Sequence, residues 1–372
     1  MTVWMLVPAC LVLGLFLVSF ALDPGKRAGW RFLNGAALAC IFGDALLLAC
    51  LPVLGWSFAP SFFPPFYLFS MGRTFVLALG LVTVVLVHSE KWRWRAAQGF
   101  ASVQLVLLLL AFYGMYLEPF WLTASTVAIQ SPDFMAGRPL RILQISDLHV
   151  ERTTRREADI LAQVDVLQPD LIVLTGDYMN IDYVLDAQTF RDTRQFLQQL
   201  HAPLGVFAIL GTPGVDVPHL MPELFAGLDI RLLNDEIATI SLPGGDLSII
   251  GVRFKGRERD TLKLYNLARK LPAGAFSLLL YHTPDLAYDA AAADIDLYLA
   301  GHTHGGQVRL PFYGALITFS EYGKAFEMGE YHLDTTTLYV SRGLGMEGLG
   351  LPRIRFLAPP ELVLIELSSL EH

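Results

Sequence analysis

The chain has 372 residues, 53% of them hydrophobic and 17% charged, with 27 Lys/Arg against 35 Asp/Glu and a net charge of −8. That is too apolar for one ordinary soluble domain, and the excess lies in residues 1–122, which hold seven basic and four acidic side chains. The remaining 250 residues carry a net charge of −11, which argues against nucleic acid as a partner, because neutralising phosphates needs a basic surface.

Four apolar stretches of about twenty residues, near 3–22, 34–57, 67–88 and 99–122, have the length a helix needs to cross a bilayer. They predict an all-α, four-helix transmembrane region over 1–122. The first stretch lacks the basic start of a cleaved signal peptide and is read as a span. The loops after spans one and three each carry three basic residues (Lys26, Arg27, Arg31; Lys91, Arg93, Arg95), and the loop after span two only Arg73. The richer loops belong in the cytoplasm, so the expected product is a multi-pass membrane protein whose C-terminal domain is extracytoplasmic. Asp44 is an acid within a span with no obvious basic partner, and no role is assigned to it. All three cysteines (Cys10, Cys40, Cys50) lie in this front part, which leaves the rear without a disulfide or thiolate metal site.

Residues 123–138, with Ser131-Pro132, read as a linker. Beyond them, short apolar runs alternate with mixed helical stretches, an α/β pattern. Several runs end in chemistry-bearing residues: 140–146 leads to Asp147 and His149, 171–175 to Gly176-Asp177, 277–281 to His282, and 295–300 to Gly301-His302-Thr303-His304-Gly305-Gly306. The stretch 156–168, with Ile160, Leu161, Val164 and Leu167, reads as the helix joining the first two runs. Ligand sites in α/β sheets lie beyond the carboxyl ends of strands, so these side chains are expected to converge. Their mixed oxygen and nitrogen set suits manganese, iron or zinc, and a bridging carboxylate suggests two ions roughly 3.5–4 Å apart.

In their order and spacing, Asp147-x-His149, Gly176-Asp177, His282 and Gly301-His302-x-His304 resemble the motifs of the calcineurin-like metallophosphoesterases, over about residues 139–368. The tail Ser341-Arg342-Gly343-Leu344-Gly345, Pro352-Arg353 and Pro359-Pro360-Glu361 is similar to the bacterial membrane-associated branch, which includes phosphodiesterases and UDP-diacylglucosamine pyrophosphatases. The resemblance implies a β-sandwich flanked by helices. It also implies one divalent ion held by Asp147, His149, Asp177 and His304 and a second by Asp177, His282 and His302, with Asp177 bridging. Asp177 and His302 are the expected catalytic pair, at the centre where hydroxide between two ions attacks phosphorus.

One motif departs from the pattern. The family has Gly-Asn-His-Asp/Glu after its third strand, whereas the run 205–210 here ends in Gly211-Thr212-Pro213-Gly214. Thr212 stands where an Asn would bind the second ion, and Pro213 where a His would protonate the leaving group. Asp216 and His219 are candidate replacements. Losing a positioned acid removes about 10²–10⁴ in rate, a loss that matters least for a leaving group that departs unprotonated, as from a pyrophosphate. The basic run Arg253–Arg259 reads as a solvated loop or a holder of an anionic head group, Arg342 as a candidate substrate contact, and 343–350 as a flexible rim. The expectation is a membrane-anchored, dimetal phosphoesterase acting on a phosphodiester or pyrophosphate, with a lipid-linked substrate suggested by the tether. The alternative is a metal-binding sensor, a pseudoenzyme that lost turnover with its Asn-His pair.

Overall fold

The computed structural model describes residues 24–50, 63–132, 134, 138–243, 245–347 and 353–369. The expected first span, 3–22, lies outside them. The chain divides into two units: among the described residues, the first runs to Leu117 and takes in Arg353, and the second comprises Glu118–Glu347 and the residues from Ile354 on.

The first unit consists of helices α1 (Pro24–Cys50), α2 (Phe63–Leu86) and α3 (Glu90–Phe112). Among the described residues, these three helices are long and apolar enough to cross a membrane, within Arg27–Cys50, Phe66–Leu86 and Glu90–Phe120. Two charged separators expected in loops are helical: α1 starts at Pro24 and takes in Lys26, Arg27 and Arg31, and α3 starts at Glu90 and takes in Lys91 to Arg95. Both Pro24 and Glu90 suit a first helical turn, where an orphan N–H is absent or an acid favoured. Trp30, Leu33, Ala37, Leu77, Val84 and Ala97 pack between the helices, while Phe42, Phe75 and Leu86 face outward.

Asp44 does have a basic partner. Arg73, counted from sequence as a loop charge, is buried in α2 and grips both Asp44 oxygens, Nε to Oδ2 and Nη2 to Oδ1, at 2.7 Å each. Gln104 of α3 completes the cluster, donating from Nε2 to the Arg73 carbonyl at 2.9 Å. A buried charged cluster beside the apolar interior, with large apolar side chains facing outward, departs from the pattern of a soluble bundle.

The second unit is a sandwich of two six-stranded sheets. One has the order β1-β14-β2-β3-β4-β5, built from β1 (Thr123–Ser131), β2 (Leu140–Ile145), β3 (Leu171–Leu174), β4 (Val206–Ala208), β5 (Arg231–Leu232) and β14 (Glu361–Ser369). The other runs β12-β13-β9-β8-β7-β6, from β6 (Glu236–Leu242), β7 (Gly245–Gly251), β8 (Phe276–Leu280), β9 (Leu297–Ala300), β12 (Gly329–Leu333) and β13 (Thr336–Val340). The period-two alternation of a strand decides what each face meets. Leu171 and Val173 point into the inter-sheet core with Leu278, Leu280 and Leu299. Ile172 and Leu174 point the other way, to the cluster holding Ile160 and Val164 of α4 (Arg155–Leu167) and Phe196 and Leu197 of α5 (Ala187–Leu197). The outer face of the second sheet is covered likewise, by Leu264 and Leu267 of α7 (Arg257–Ala268) and Ala287 and Ala290 of α8 (Ala287–Ala292). The small helix α6 (Met221–Phe225) closes the first face. This is the expected β-sandwich flanked by helices.

Half of the expected linker is part of the fold: 123–131 forms β1, parallel to β14 from Thr123↔Glu361 to Ser131↔Ser369. Beneath the site, the buried amide of Gln144 on β2 donates to the Ala300 carbonyl of β9 at 2.9 Å and so ties the two sheets together. β2, β3 and β4 are mutually parallel, as are β7, β8, β9 and β13.

Candidate metal centre

The loops at the carboxyl ends of β2, β3 and β4 in one sheet meet those of β8, β9 and β13 in the other. Five of the six expected ligands occupy the left-handed backbone region, with φ of 50° at Asp147, 41° at His149, 55° at Asp177, 70° at His302 and 51° at His304. Non-glycine residues enter this region at a cost, and such strain concentrates at functional sites. Neighbouring glycines permit the crowding. A side chain at Gly301 would overlap Ser146 and the Asp147 carboxylate, and one at Gly211 would overlap Asp177.

All six side chains converge, in two adjoining groups: Asp147, His149 and His304, and Asp177, His282 and His302. In the first, the Nε2 atoms of His149 and His304 face each other at 3.1 Å, and Asp147 Oδ1 lies 3.6 Å from His304 Nε2. In the second, His302 Nδ1 and His282 Nε2 are 3.2 Å apart, and Asp177 Oδ2 lies 3.3 Å from His282 Nε2. The same Asp177 oxygen is 3.7 Å from His149 Nε2, between the two groups.

The donor set fits divalent ions. Two imidazole nitrogens facing each other can share only one proton, and a carboxylate beside them supplies no donor when ionised. A cation between them satisfies all three. Burial, with His149 next to it, holds the His304 imidazole well below its usual range, in the neutral form a metal takes. Burial pushes the Asp177 carboxyl up, but His282, His149 and His302 outweigh it and keep Asp177 ionised. The same attraction by Asp177 overcomes burial at His282 and pushes it up to about 10. Ions held here would polarise a phosphoryl oxygen and acidify water.

Outer contacts orient these ligands. His282 Nδ1 meets the Thr175 carbonyl at 2.8 Å, which turns Nε2 toward Asp177. Ser146 Oγ donates to Asp147 Oδ2 at 2.5 Å, and the His302 N–H to Asp147 Oδ1 at 3.0 Å. Thr212 donates from its backbone to Asp177 Oδ1 at 2.6 Å, and its hydroxyl lies 3.3 Å from Asp177 Oδ2 and 3.2 Å from His282 Nε2. The hydroxyl therefore borders the second group, whereas Pro213 is exposed. The buried Asp216 carboxylate turns to the backbone, accepting from the N–H groups of Asp177 at 2.8 Å, Tyr178 at 2.9 Å and Gly211 at 2.7 Å. Burial and the adjacent Asp177 push it up to about 7. Its contacts splice the Asp177 loop to the Thr212 loop. His219 is exposed beyond it. The Arg342 guanidinium donates to Glu361 and Thr123 at 2.9 Å each, while its stem packs against Gly305.

Three neighbours escaped the sequence reading. Glu347 Oε2 stands 3.0 Å from His149 Nδ1, and the Glu347 backbone is fixed on both sides by the Gln307 amide, at 2.8 and 3.0 Å. Arg355, fully buried, donates to the carbonyls of Arg342, Gly343, Gly345 and Ala358. Of the expected flexible rim 343–350, residues 343–347 are packed against Asp147 and His149, and 348–350 lie outside the described residues. Phe254, inside the basic run, sets its ring 6.0 Å from that of His282 and 6.2 Å from that of His302. Charged residues at a glycine-rich stretch and an aromatic among cations carry no spacing signal, and only the fold brings them to the site.

The calcineurin-like phosphoesterase family matches residues 140–306. An uncharacterized metallophosphoesterase of Bacillus subtilis, YkuE, is 34% identical over 267 residues, covering 69% of this chain and 89% of that protein. The chain belongs to the calcineurin-like metallophosphoesterases. It is also similar to the UDP-2,3-diacylglucosamine pyrophosphatase LpxG of Chlamydia trachomatis, at 27% identity over 67% of this chain and 90% of LpxG. The phosphodiesterase YaeI of Escherichia coli is 28% identical over 68% of this chain and 92% of YaeI. The chain is accordingly a metal-dependent phosphoester hydrolase with two candidate ligand groups.

Proposed function

We propose that this metallophosphoesterase is held in a membrane by its N-terminal helices and cleaves a lipid-linked pyrophosphate or phosphodiester whose leaving group departs without a protein acid. The observation that carries the reading is the geometry at Thr212-Pro213: the six candidate ligands converge, yet an exposed proline stands at the sequence position of the family's acid. Asp177 and His302 are the proposed catalytic residues, with Asp147, His149, His282 and His304 as the other ligands. Thr212 contributes its hydroxyl beside the second group, and Asp216 positions Asp177. The Asp44–Arg73 pair supports the membrane reading, as does the exposed apolar surface of the three helices. Arg73 lies within α2, which takes it out of the count of loop cations and favours a catalytic domain outside the cytoplasm.

The test is leaving-group dependence. The full chain in detergent, with manganese, is expected to hydrolyse bis-p-nitrophenyl phosphate and a lipid pyrophosphate at least a hundredfold faster than a dialkyl phosphate. That ratio follows from the roughly 10²–10⁴ that a positioned acid is worth to a poor leaving group. Comparable rates on all three would refute the proposal. Stoichiometric metal binding with no turnover of any of them would favour the sensor.

A further inference from the structure

Between β9 and β12 the chain forms a small hairpin, β10 (Arg309–Leu310) and β11 (Gly314–Ala315), followed by an irregular run to Phe319. This segment of eleven residues exposes Leu310, Phe312, Tyr313, Leu316, Ile317 and Phe319, with Phe312 wholly exposed, Phe319 at 76% and Ile317 at 59%. Elsewhere in the described part of the catalytic unit, exposed large apolar side chains such as Val166, Leu185 and Leu262 stand singly. Scattered exposure needs no explanation, but a contiguous patch does.

The patch adjoins the metal centre. The Phe319 carbonyl lies 3.4 Å from His302 Nε2, and Gly306, two residues past His304, packs so closely on Ala315 of β11 that a side chain there would collide. We infer that the 309–319 hairpin inserts its apolar tip into the bilayer interface and holds the metal centre at the level of lipid phosphates, an inference that rests on the membrane-anchored reading above.

Four features favour a bilayer over another occupant. The chain itself carries helices long and apolar enough to cross a membrane, so on the membrane-anchored reading lipid is the surface within its reach. The charges at the hairpin are mutually satisfied: Glu327 accepts from Arg309 at 2.8 Å and meets Lys324 at 3.3 Å, so contact with the interface strands no bare ion. Lys324 also sits 3.5 Å from the Tyr313 ring centre, and aromatic rings beside cations are side chains suited to the headgroup level. The wholly exposed Phe312, held by a left-handed backbone at φ 64°, makes a projecting tip, whereas a self-associating surface presents a self-complementary patch.

The test needs no turnover, so it can fail or succeed independently of the substrate reading. Phe312→Cys is labelled with an environment-sensitive fluorophore in the full chain, with Cys10, Cys40 and Cys50 changed to Ala, and reconstituted into phosphatidylethanolamine–phosphatidylglycerol vesicles. Doxyl-labelled lipids are expected to quench the probe at least twofold and to leave a probe at Leu185→Cys unquenched. Equal, solvent-like emission at both positions would overturn the inference. So would quenching that depends on protein density and not on the doxyl lipid, which would make a second copy the occupant. In the natural cysteine background, Phe312→Ser with Ile317→Ser should lower kcat/KM for a vesicle-borne substrate about tenfold, equivalent to about 1.4 kcal/mol, and leave bis-p-nitrophenyl phosphate hydrolysis unchanged. Equal loss on both substrates would count against it.

Discussion

Thr212→Val removes one hydroxyl and keeps the side chain's branched shape and the backbone N–H that meets Asp177. The lost oxygen lies 3.3 Å from Asp177 Oδ2 and 3.2 Å from His282 Nε2, and both distances belong to the second ligand group. A hydrogen bond to a charged partner contributes about 1.5–3 kcal/mol, and the partial exposure of Thr212 argues for the lower end. The expected effect is a roughly tenfold weaker second ion, since 1.4 kcal/mol is a factor of ten. The hydroxyl touches none of Asp147, His149 and His304, so it reaches the first group only through the shared Asp177. Calorimetric titration of the metal-free chain with manganese should therefore show one of two binding steps displaced about tenfold and the other moved much less. Two unmoved steps, or equal weakening of both, would refute the assignment of Thr212 to the second group.

Glu347→Gln removes the carboxylate at His149 Nδ1, and loss of such an outer partner costs about 10–100-fold in metal affinity. The loss should appear mainly in the step that Thr212→Val leaves nearly unmoved, and no change in that step would show that Glu347 does not orient His149. Asp44→Ala leaves the Arg73 guanidinium buried without its carboxylate. It should lower the unfolding free energy of the chain in detergent by about 3–5 kcal/mol, and a thermal midpoint equal to the wild type's would contradict the pair's structural role. Asp170 is held below the usual carboxylate range chiefly by its hydrogen bond from Arg138. Its contribution to stability is complete above the unfolded value of about 3.9 and is lost as pH falls through the lowered folded value. Asp170→Asn should accordingly reduce stability at pH 7 and flatten the acid limb below pH 4, and parallel acid limbs for the two proteins would show that the contact carries no linkage.

The clustering of the six candidate ligands was legible because each is a distinctive residue placed where a short apolar run stops, and parallel strands bring such ends to one edge. The helix from Arg155 was legible from its apolar spacing, and its start from Thr154 and Glu157, whose side chains form a capping box. β1 was not, since Thr-Ala-Ser-Thr carries little apolar signal and its partner β14 lies more than two hundred residues away. Arg73 passed for a loop charge because hydropathy has no register for a cation paired across two helices. Glu347 acts through its backbone bonds to Gln307, a contact only the fold creates. The hairpin at 309–319 has too few strand residues on either side of its turn to be recognised.

The most direct test of the two-metal hydrolase is the rate of bis-p-nitrophenyl phosphate hydrolysis by the full chain as manganese is added, beside Asp177→Asn. Asp177 is the oxygen donor lying between both ligand groups, 3.3 Å from His282 and 3.7 Å from His149. Hydrolysis that rises with manganese and is nearly abolished in Asp177→Asn is the predicted result. A folded, metal-loaded wild-type chain with no activity, or one matched by Asp177→Asn, would contradict the account.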